Sequence, residues 1–514
     1  MDIRGLIILL LVGALVFHSG CISKTAENDG QKDYVIGFSS DILGFYPWIG
    51  AYDVDTMSIN SNMFNSLVEL DDDMRLTPGL ARTWSNPDDL TWRFTLRENV
   101  TFHNGDILSA EDVKYTIDSI IQDEENDLRG LLTSVSEVRI VDDLTVDIIT
   151  KEQYPILLNN LIDVFIVSKS YQEETDTEWP IGTGAYKLVD YVEGTSISME
   201  RNDRYWKGPS DIRKVTFKII EDSEEKKNAL LNGTIDLCSF KSDYYDEVKN
   251  TDGIKIETIT SPTIYYICYD FRETGSVGYG DLINPFSDIN VRKAVYHAID
   301  IDSLIEDELN GFGTPASQFV SPMIYGYNPD IERLEYDVNL SKQFLTDAGY
   351  PDGFSVTFDC TDDNGSIELC TVLVDQLSDI GLNVTLNPLG PNEFYEKVLS
   401  RSSQFYVLGW LAATADGGEI FDYLLRSVDD ENGIGTYNLG YYSNSRVDEI
   451  GENVSKLMDL EERLSLMQEG FAIAMDEVAW VPLYSLDGNY AHSVELEWMP
   501  RADLNIKIEE IEIK

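Results

Sequence analysis

A tryptophan and a carboxylate stand close together in the stretch Phe405–Leu425, FYVLGWLAATADGGEIFDYLL. A strand-like run delivers Gly409 and Trp410 into a loop, and Asp416 follows just before Gly417 and Gly418. These residue types suit binding. An indole offers a flat wall to an apolar or cationic group. A carboxylate in a dehydrated cleft pairs strongly with an ammonium group, less what both lose in desolvation. The plain alternative makes Trp410 a packed aromatic and Asp416 one loop acid among 92 acidic residues. Histidine chemistry is sparse. The 4 histidines are His18, His103, His297 and His492, spaced too widely to suggest a metal site. No G-x-S-x-G, H-E-x-x-H or G-x-x-x-x-G-K-[ST] occurs, so the sequence lacks the usual marks of a serine hydrolase, a zinc protease or a P-loop enzyme. Carboxylate pairs carry no weight for a glycosidase-type mechanism, because so acidic a chain produces them by chance.

The elements that would position such residues follow from periodicity. Tyr34–Phe38 reads as a first strand. Leu90, Trp92, Phe94 and Leu96 alternate with polar residues, a period-two strand that Val100 and Phe102 continue. Asn104-Gly105 makes a tight turn. Ser109 with Asp112 predicts a capping box that opens a helix with Val113, Ile117, Ile120 and Ile121 inward. Leu144, Val146 and Ile148 predict a strand. So do Tyr186–Tyr191, Ser196–Arg201, Lys214–Ile220, Ile235–Phe240 and Thr263–Tyr269, with a helix at Asp222–Leu231 between them. Beyond Pro285 the rhythm becomes strand–helix–strand: Phe354–Phe358, Ile367–Ile380 and Leu382–Leu386. That rhythm predicts an α/β lobe. Helices are predicted at Arg446–Leu460 and Glu461–Val478, and Leu504, Ile506 and Ile508 read as a final strand.

With 514 residues the chain has room for about three domains or lobes at about 150 residues each. Its formal net charge is −54. A charge of that sign opposes phosphate backbones, which argues against nucleic-acid binding. It suits solvation in a salty milieu; the alternative is attraction of cationic ligands. At the N-terminus Arg4 precedes an apolar run, Leu6–Phe17, that fits a signal segment better than a membrane span. Ser19 and Gly20 before Cys21 look like a lipobox, with Cys21 lipidated after cleavage. His18 and Asp2 depart from that pattern, and the alternative is an uncleaved N-terminal anchor. The polar stretch after Cys21 reads as a tether. Cys238, Cys268, Cys360 and Cys370 form no metal-binding spacing. An exported setting permits disulfides among them, although Cys370 shares an apolar stripe with Leu373, Val374 and Leu377 and reads as a core thiol.

Eight blocks, in order and spaced over nearly the whole chain, resemble the family 5 extracellular solute-binding proteins of ABC transporters, the dipeptide-, oligopeptide- and nickel-binding type. They are LTPGLARTW (Leu76–Trp84), TWRFTLRENVTFHNGDILSAEDVKYTI (Thr91–Ile117), IGTGAYKLVDY (Ile181–Tyr191), MERNDRYWKG (Met199–Gly208), INVRKAVYHAID (Ile289–Asp300), LGW (Leu408–Trp410), YYSNSRVDEI (Tyr441–Ile450) and AWVPLY (Ala479–Tyr484). The resemblance implies an α/β, bilobed periplasmic-binding-protein-like fold of type II with an extra subdomain, its two lobes joined by a hinge. The N-terminal residues predict a signal peptide at 1–20 and a lipid-anchored tether at 21–32, and the resemblance implies lobe I from 33–57, 180–268 and 483–514. The extra subdomain would be 58–179 and lobe II 269–482.

The same resemblance implies a non-enzymatic binder with no cofactor, held outside the cell membrane by lipid at Cys21. The monomer would capture a small peptide and deliver it to an ABC permease. A nickel chelate or another cationic solute is the alternative ligand, and a sensor role or a secreted hydrolase the alternative function. In such relatives the acid after G-W meets the ligand's α-ammonium group, which points to Asp416 with Gly409 and Trp410. Here the loop is longer than usual, and the familiar D-P is replaced by Gly417-Gly418-Glu419. Ser39, Ser40 and Asp41 would extend a bound peptide through backbone groups, as an added strand does. Tyr46, Trp48 and Tyr437, with Asn438, are candidates to close the pocket. His103 falls in a block that marks the fold.

Overall fold

The computed structural model describes residues 32–48, 53–170 and 181–514. The leader, the lipidation at Cys21 and most of the tether lie outside the described residues. No helix among the described residues is long and apolar enough to cross a membrane.

Strand β1 (Tyr34–Phe38) is buried along most of its length. It runs parallel to Lys214–Ile219 on one side and to Leu237–Ser239 on the other, which explains its almost uninterrupted apolar run. Helix α1 (Val54–Met63) follows, capped by Asp53, whose side chain accepts from Thr56 N at 2.8 Å. Thr56, Ser58, Asn60 and Asn62 are buried along with Met57, Ile59 and Met63. A helix buried on all sides carries no apolar stripe, so sequence periodicity is silent about it.

A four-stranded antiparallel sheet comes next, in the order Ala81–Asp88, Thr91–Leu96, Thr145–Thr150, Val135–Asp142. The helix Ala110–Gln122 packs on it. Ser109 N and Oγ each reach Asp112 Oδ2 at 2.9 Å, as the capping box predicts. Val100 and Phe102 are buried but do not continue the strand. Asn99 takes a left-handed φ of 62° and turns the chain, leaving Thr101 paired only with Ile107.

Five further strands complete the frame: β2 (Ile254–Tyr269), β3 (Ser355–Thr361), β4 (Asn383–Leu389), β5 (Phe405–Leu411) and β6 (Val481–Ser493). They join an 11-stranded sheet in the order β4–β3–β5–β2–β6, continuing through Leu237–Ser239, β1, Lys214–Ile219, Ser196–Arg201 and Tyr186–Val192, with the short strand Gly313–Pro315 pairing β6 off this path. β2 and β6 pair antiparallel from Ile254 opposite Ser493 to Ile267 opposite Val481. One end of this ribbon meets the strands around β1, the other meets β5, so the two lobes share it as a hinge. The sequence pattern predicts only the half of β2 from Thr263. The structure carries β2 back past Pro262, which lacks an N–H and sits where the register shifts between Thr260 and Ile264.

Helices α2 (Asn364–Asp379) and α3 (Leu460–Asp476) belong to the β3–β5 lobe. The helix predicted over Arg446–Leu460 ends at Val454. Asp459 then caps α3, accepting from Glu462 N at 3.0 Å. The predicted tail strand is also corrected. Leu504 has φ 62°. Beyond it, Ile506 N bonds Ser58 Oγ at 3.0 Å and Ile508 N bonds Asn62 Oδ1 at 2.8 Å. Side chains of α1 replace a neighbouring strand, and only Glu512–Ile513 forms a short strand.

The I-G-T-G turn after residue 180 is clamped against α1. Gly184 N donates to Met63 O at 2.9 Å, and His103 Nε2 lies 3.0 Å from Gly184 O. Burial holds the His103 ring well below its ordinary pKa, at about 4, so it stays neutral at physiological pH. His103 thus acts as a fastener of the fold. A Cβ on Gly184 would fall 2.4 Å from Asn62 O and from Met63 C, both backbone atoms. Gly184→Ala is therefore expected to cost about 1–3 kcal/mol, read from the urea midpoint. An unchanged midpoint would mean that α1 shifts freely.

Candidate functional site

A recess opens where α1, the segment Ile162–Phe165, the loop after β5 and the C-terminal segment Arg501–Lys507 meet. Its walls include Met57, Ser61, Asp163, Leu411, Ala413 and Asp503, with Pro262 of β2 at the hinge. Asn159 ties two of these walls together, its Nδ2 donating to Thr414 O at 2.7 Å.

Most charged groups in the walls are neutralised. Glu69 accepts from Lys207 Nζ at 2.6 Å. Arg501 meets Asp503 at 2.8 Å, Glu510 at 2.9 Å and Asp72 at 3.1 Å. Two lining groups differ. The Asp163 carboxylate accepts no hydrogen bond and makes no ion pair among the described residues, and Lys507 Nζ has no ion-pair partner within 4.0 Å among them. Lys507 still acts at longer range on Glu69, helping to lower its pKa. Burial pushes the Asp163 carboxyl up to about 7, with repulsion from Asp503 and Glu419 adding to it. A carboxyl of this kind can accept a cation if it gives up the proton that burial favours. Asp163 escapes a motif-based reading; its one signal is a lone acid inside the apolar run Leu161–Val167, LIDVFIV.

The loop after β5 is built differently from the expectation. Asp416 is buried, 3% exposed, and aims away from the recess. Arg463 of α3, itself 1% exposed, donates from Nη1 to Oδ2 at 2.6 Å and from Nη2 to Oδ1 at 2.7 Å. Gly418 N donates to Asp416 Oδ1 at 2.7 Å. A left-handed Ala415, φ 58°, turns the chain so that this carboxylate points inward. Asp416 is therefore a strut between loop and helix, with both oxygens occupied, and Leu411 at the end of β5 and Ala413 of the loop are the residues that face the recess.

The other expected residues are placed as follows. Gly409 lies under the Tyr265 ring, where a Cβ would come within 3.0 Å of a ring carbon. Trp410 Nε1 donates to Glu419 Oε1 at 2.9 Å. Its ring meets Tyr437 edge-on, centroids 5.2 Å apart, and Tyr423 at 6.0 Å. Burial pushes the Glu419 carboxyl up to about 7, against hydrogen bonds from Thr414 and Trp410. Ser40 gives its N–H and its hydroxyl to Asp55, both at 3.0 Å, and Ser39 N also reaches Asp55 at 3.2 Å. Those amides are engaged, so an added strand at Ser39–Ser40 would first have to displace Asp55. Tyr46 and Trp48 pack together, centroids 5.4 Å apart. Asn438 is a structural brace, its Nδ2 donating to Arg426 O and Tyr442 O. None of Ser40, Tyr46, Trp48, Gly409, Trp410, Asp416 and Tyr437 lines the recess. Among the described residues, no group of three or more His, Cys, Asp or Glu side chains is arranged to hold a metal ion.

Comparison with known proteins agrees with this architecture. The family described as bacterial extracellular solute-binding proteins, family 5 Middle, matches residues 75–432. The glutathione-binding protein GsiB of Salmonella typhi is 26% identical over 483 residues, covering 90% of this chain and 91% of its own. The structure of HbpA2 from Haemophilus parasuis superposes with a TM-score of 0.83 at 20% identity, over 94% of this chain and 100% of that one. The unliganded open form of the murein tripeptide binding protein MppA gives 0.80 at 19% identity, over 94% and 97%. With more than half its length matched by the family and the hinged two-lobe sheet in place, the chain belongs to family 5 of the extracellular solute-binding proteins, the non-enzymatic substrate-binding components of ABC transporters.

Proposed function

We propose that this protein captures a small peptide, or a similarly short solute carrying an ammonium group, in the recess between its lobes, and hands it to the permease of an ABC importer. The carrying observation is the Asp163 carboxyl, unpaired among the described residues, in a recess whose other acids are capped or paired. An ammonium nitrogen seated there gains a charge-assisted contact without breaking an existing ion pair. Lys507, lining the same recess without an ion-pair partner among the described residues, suits a ligand carboxylate. Relatives support the class: GsiB is named for glutathione, and solved neighbours hold the peptide STSA and a nonapeptide. The lobes share the β2–β6 ribbon, so contacts made only when they close would draw the equilibrium to the closed form. Lipid at Cys21 would keep the protein beside its permease.

A thermal-shift panel of di- to pentapeptides, glutathione and nickel with histidine tests this. A ligand at about 100 Kd adds about 2.7 kcal/mol of stability. The expected result is a rise in Tm with peptides that disappears on N-acetylation. A rise confined to nickel–histidine would replace the peptide reading with a chelate, whose amine is already bound to metal. Equal shifts for free and N-acetylated peptides would remove Asp163 as the ammonium seat.

A further inference from the structure

The recess has a second property besides the carboxyl of Asp163. Most of its polar side chains are turned to partners inside the fold. Ser61 Oγ donates to Ser58 O at 3.0 Å, and Ser66 Oγ to Val68 O at 2.6 Å. Asn65 uses both ends of its amide. Its Nδ2 donates to Glu69 Oε1 and to Tyr205 Oη, each at 3.2 Å, and its Oδ1 accepts from Thr183 Oγ1 and Trp206 Nε1, each at 3.0 Å. Asp53 is spent on capping α1, and Glu69, Arg501 and Asp503 are paired. A polar side chain brought into the recess by a ligand finds few groups left to meet it, and burying it unmet carries a desolvation cost.

The rest of the lining is apolar. Met57, Leu70, Met74, Ile162 and Phe165 form much of the wall, and Leu411 adds to it from the end of β5. Leu411 is 42% exposed, so it holds apolar area that a ligand can take out of water. The recess encloses about 110 Å³. A dry apolar cavity of about 150 Å³ holds benzene, so the smaller volume suits roughly four or five carbons. That is the size of a leucine, isoleucine or methionine side chain, and less than the benzyl group of phenylalanine. The thioethers of Met57 and Met74 are unbranched and adaptable, which suits a class of aliphatic shapes and not a single one.

We propose that the recess selects peptides whose amino-terminal residue carries an aliphatic side chain of leucine, isoleucine or methionine size, which fills the apolar walls beside the ammonium seat. The proposal rests on the reading of Asp163 given above and adds to it the class of the first residue. Three consequences follow from the lining. An aliphatic side chain gains affinity by leaving water, roughly fourfold for each methylene buried. A glycine leaves the walls wet and gains nothing. A charged side chain loses its hydration, because Glu69, Arg501 and Asp503 are already paired and Asp163 is taken by the ligand's own ammonium group. The recess thus reads the first side chain by its apolar volume, with Asp163 reading the amine next to it.

The test is calorimetric titration of the full chain with dipeptides X-Ala, where X is Leu, Ile, Met, Phe, Gly, Asp or Lys, together with N-acetyl-Leu-Ala. The expected order places Leu, Ile and Met first, about 10–100-fold tighter than Gly, with Phe weaker than Leu and with Asp and Lys weakest. Equal affinities across X, or a preference for Asp or Lys, would overturn the proposal even if N-acetylation still abolished binding. The opposite pattern, an aliphatic preference that survives N-acetylation, would overturn the ammonium seat at Asp163 and leave the apolar pocket standing. No binding by any of the dipeptides would overturn both. A second measurement fills the recess from within. Ala413 lines it from the loop after β5, and Ala413→Leu is expected to remove the advantage of Leu-Ala over Gly-Ala. A folded Ala413→Leu protein that kept the full Leu preference would place the side-chain pocket elsewhere and overturn the proposal. The dipeptide series on the parent decides the question even if that variant does not fold.

Discussion

Asp163→Asn is expected to weaken binding of an amine-bearing ligand by about 10–100-fold, while making the empty protein more stable at alkaline pH. The first effect follows from the loss of a charged hydrogen-bond partner, worth about 1.5–3 kcal/mol. The second follows from proton linkage. The Asp163 carboxyl is pushed up to about 7 in the folded protein, above its ordinary value. Between about pH 4 and pH 7 the folded state therefore binds more protons than the unfolded state, and stability falls as pH rises through that window. Asparagine carries no charge and removes this cost. With allowance for the recess being partly open to water, the gain at pH 8 is on the order of 1–3 kcal/mol and vanishes towards pH 4. Glu419, also held at about 7, keeps its own contribution in the variant, so the pH slope is reduced and not abolished. Calorimetric titration with a tightly bound peptide checks the first effect, and unfolding midpoints at pH 5 and pH 8 check the second. Unchanged affinity together with raised stability would leave Asp163 as a merely frustrated acid and move the ligand elsewhere in the cleft.

Asp416→Asn is expected to damage stability before it touches ligand selectivity. The Arg463 guanidinium is buried, and Asp416 is its only ion-pair partner among the described residues. Removing the negative charge leaves a cation in the core without compensation, at a cost of about 3–5 kcal/mol. The bond from Gly418 N is weakened as well. The measurement is the urea midpoint of the empty protein, with a second variant to separate charge from shape. Asp416→Leu combined with Arg463→Met replaces the pair by apolar residues and is expected to recover much of the loss, because a buried ion pair roughly breaks even against well-packed hydrophobic residues. If Asp416→Asn kept the parent's midpoint but lost amine-bearing ligands, Asp416 would be the ligand acid after all and Arg463 a secondary partner.

The contrast between these two acids shows where sequence reading stops. Both are single carboxylates near apolar residues, and Asp416 carried the stronger signal because it follows G-W. Its role was decided by a residue 47 positions away, Arg463, whose guanidinium grips both oxygens. No local pattern announces that partner. In the same way Ser39 and Ser40 looked available at the end of the first strand, but Asp55 of the next helix takes their amides.

By itself the sequence determined the class of fold and the family. A short apolar run gave β1, alternation gave the strands at Thr91–Leu96, Thr145–Thr150 and Ser196–Arg201, the Ser109–Asp112 pattern placed its helix, and eight ordered blocks pointed to a hinged solute binder. These are short-range facts, written in alternation, caps and turns. The tertiary structure alone decided that β2 and β6 form one ribbon through both lobes, that α1 is buried on every side, and that Ile506 and Ile508 lie along α1 as an extended tail. It alone left Asp163 without a side-chain partner among the described residues while giving Asp416 one. The physical reason is common to all of these. Whether a buried charge is a strut or a ligand seat depends on which opposite charge the fold brings to it, and that is a property of contacts far apart in the chain.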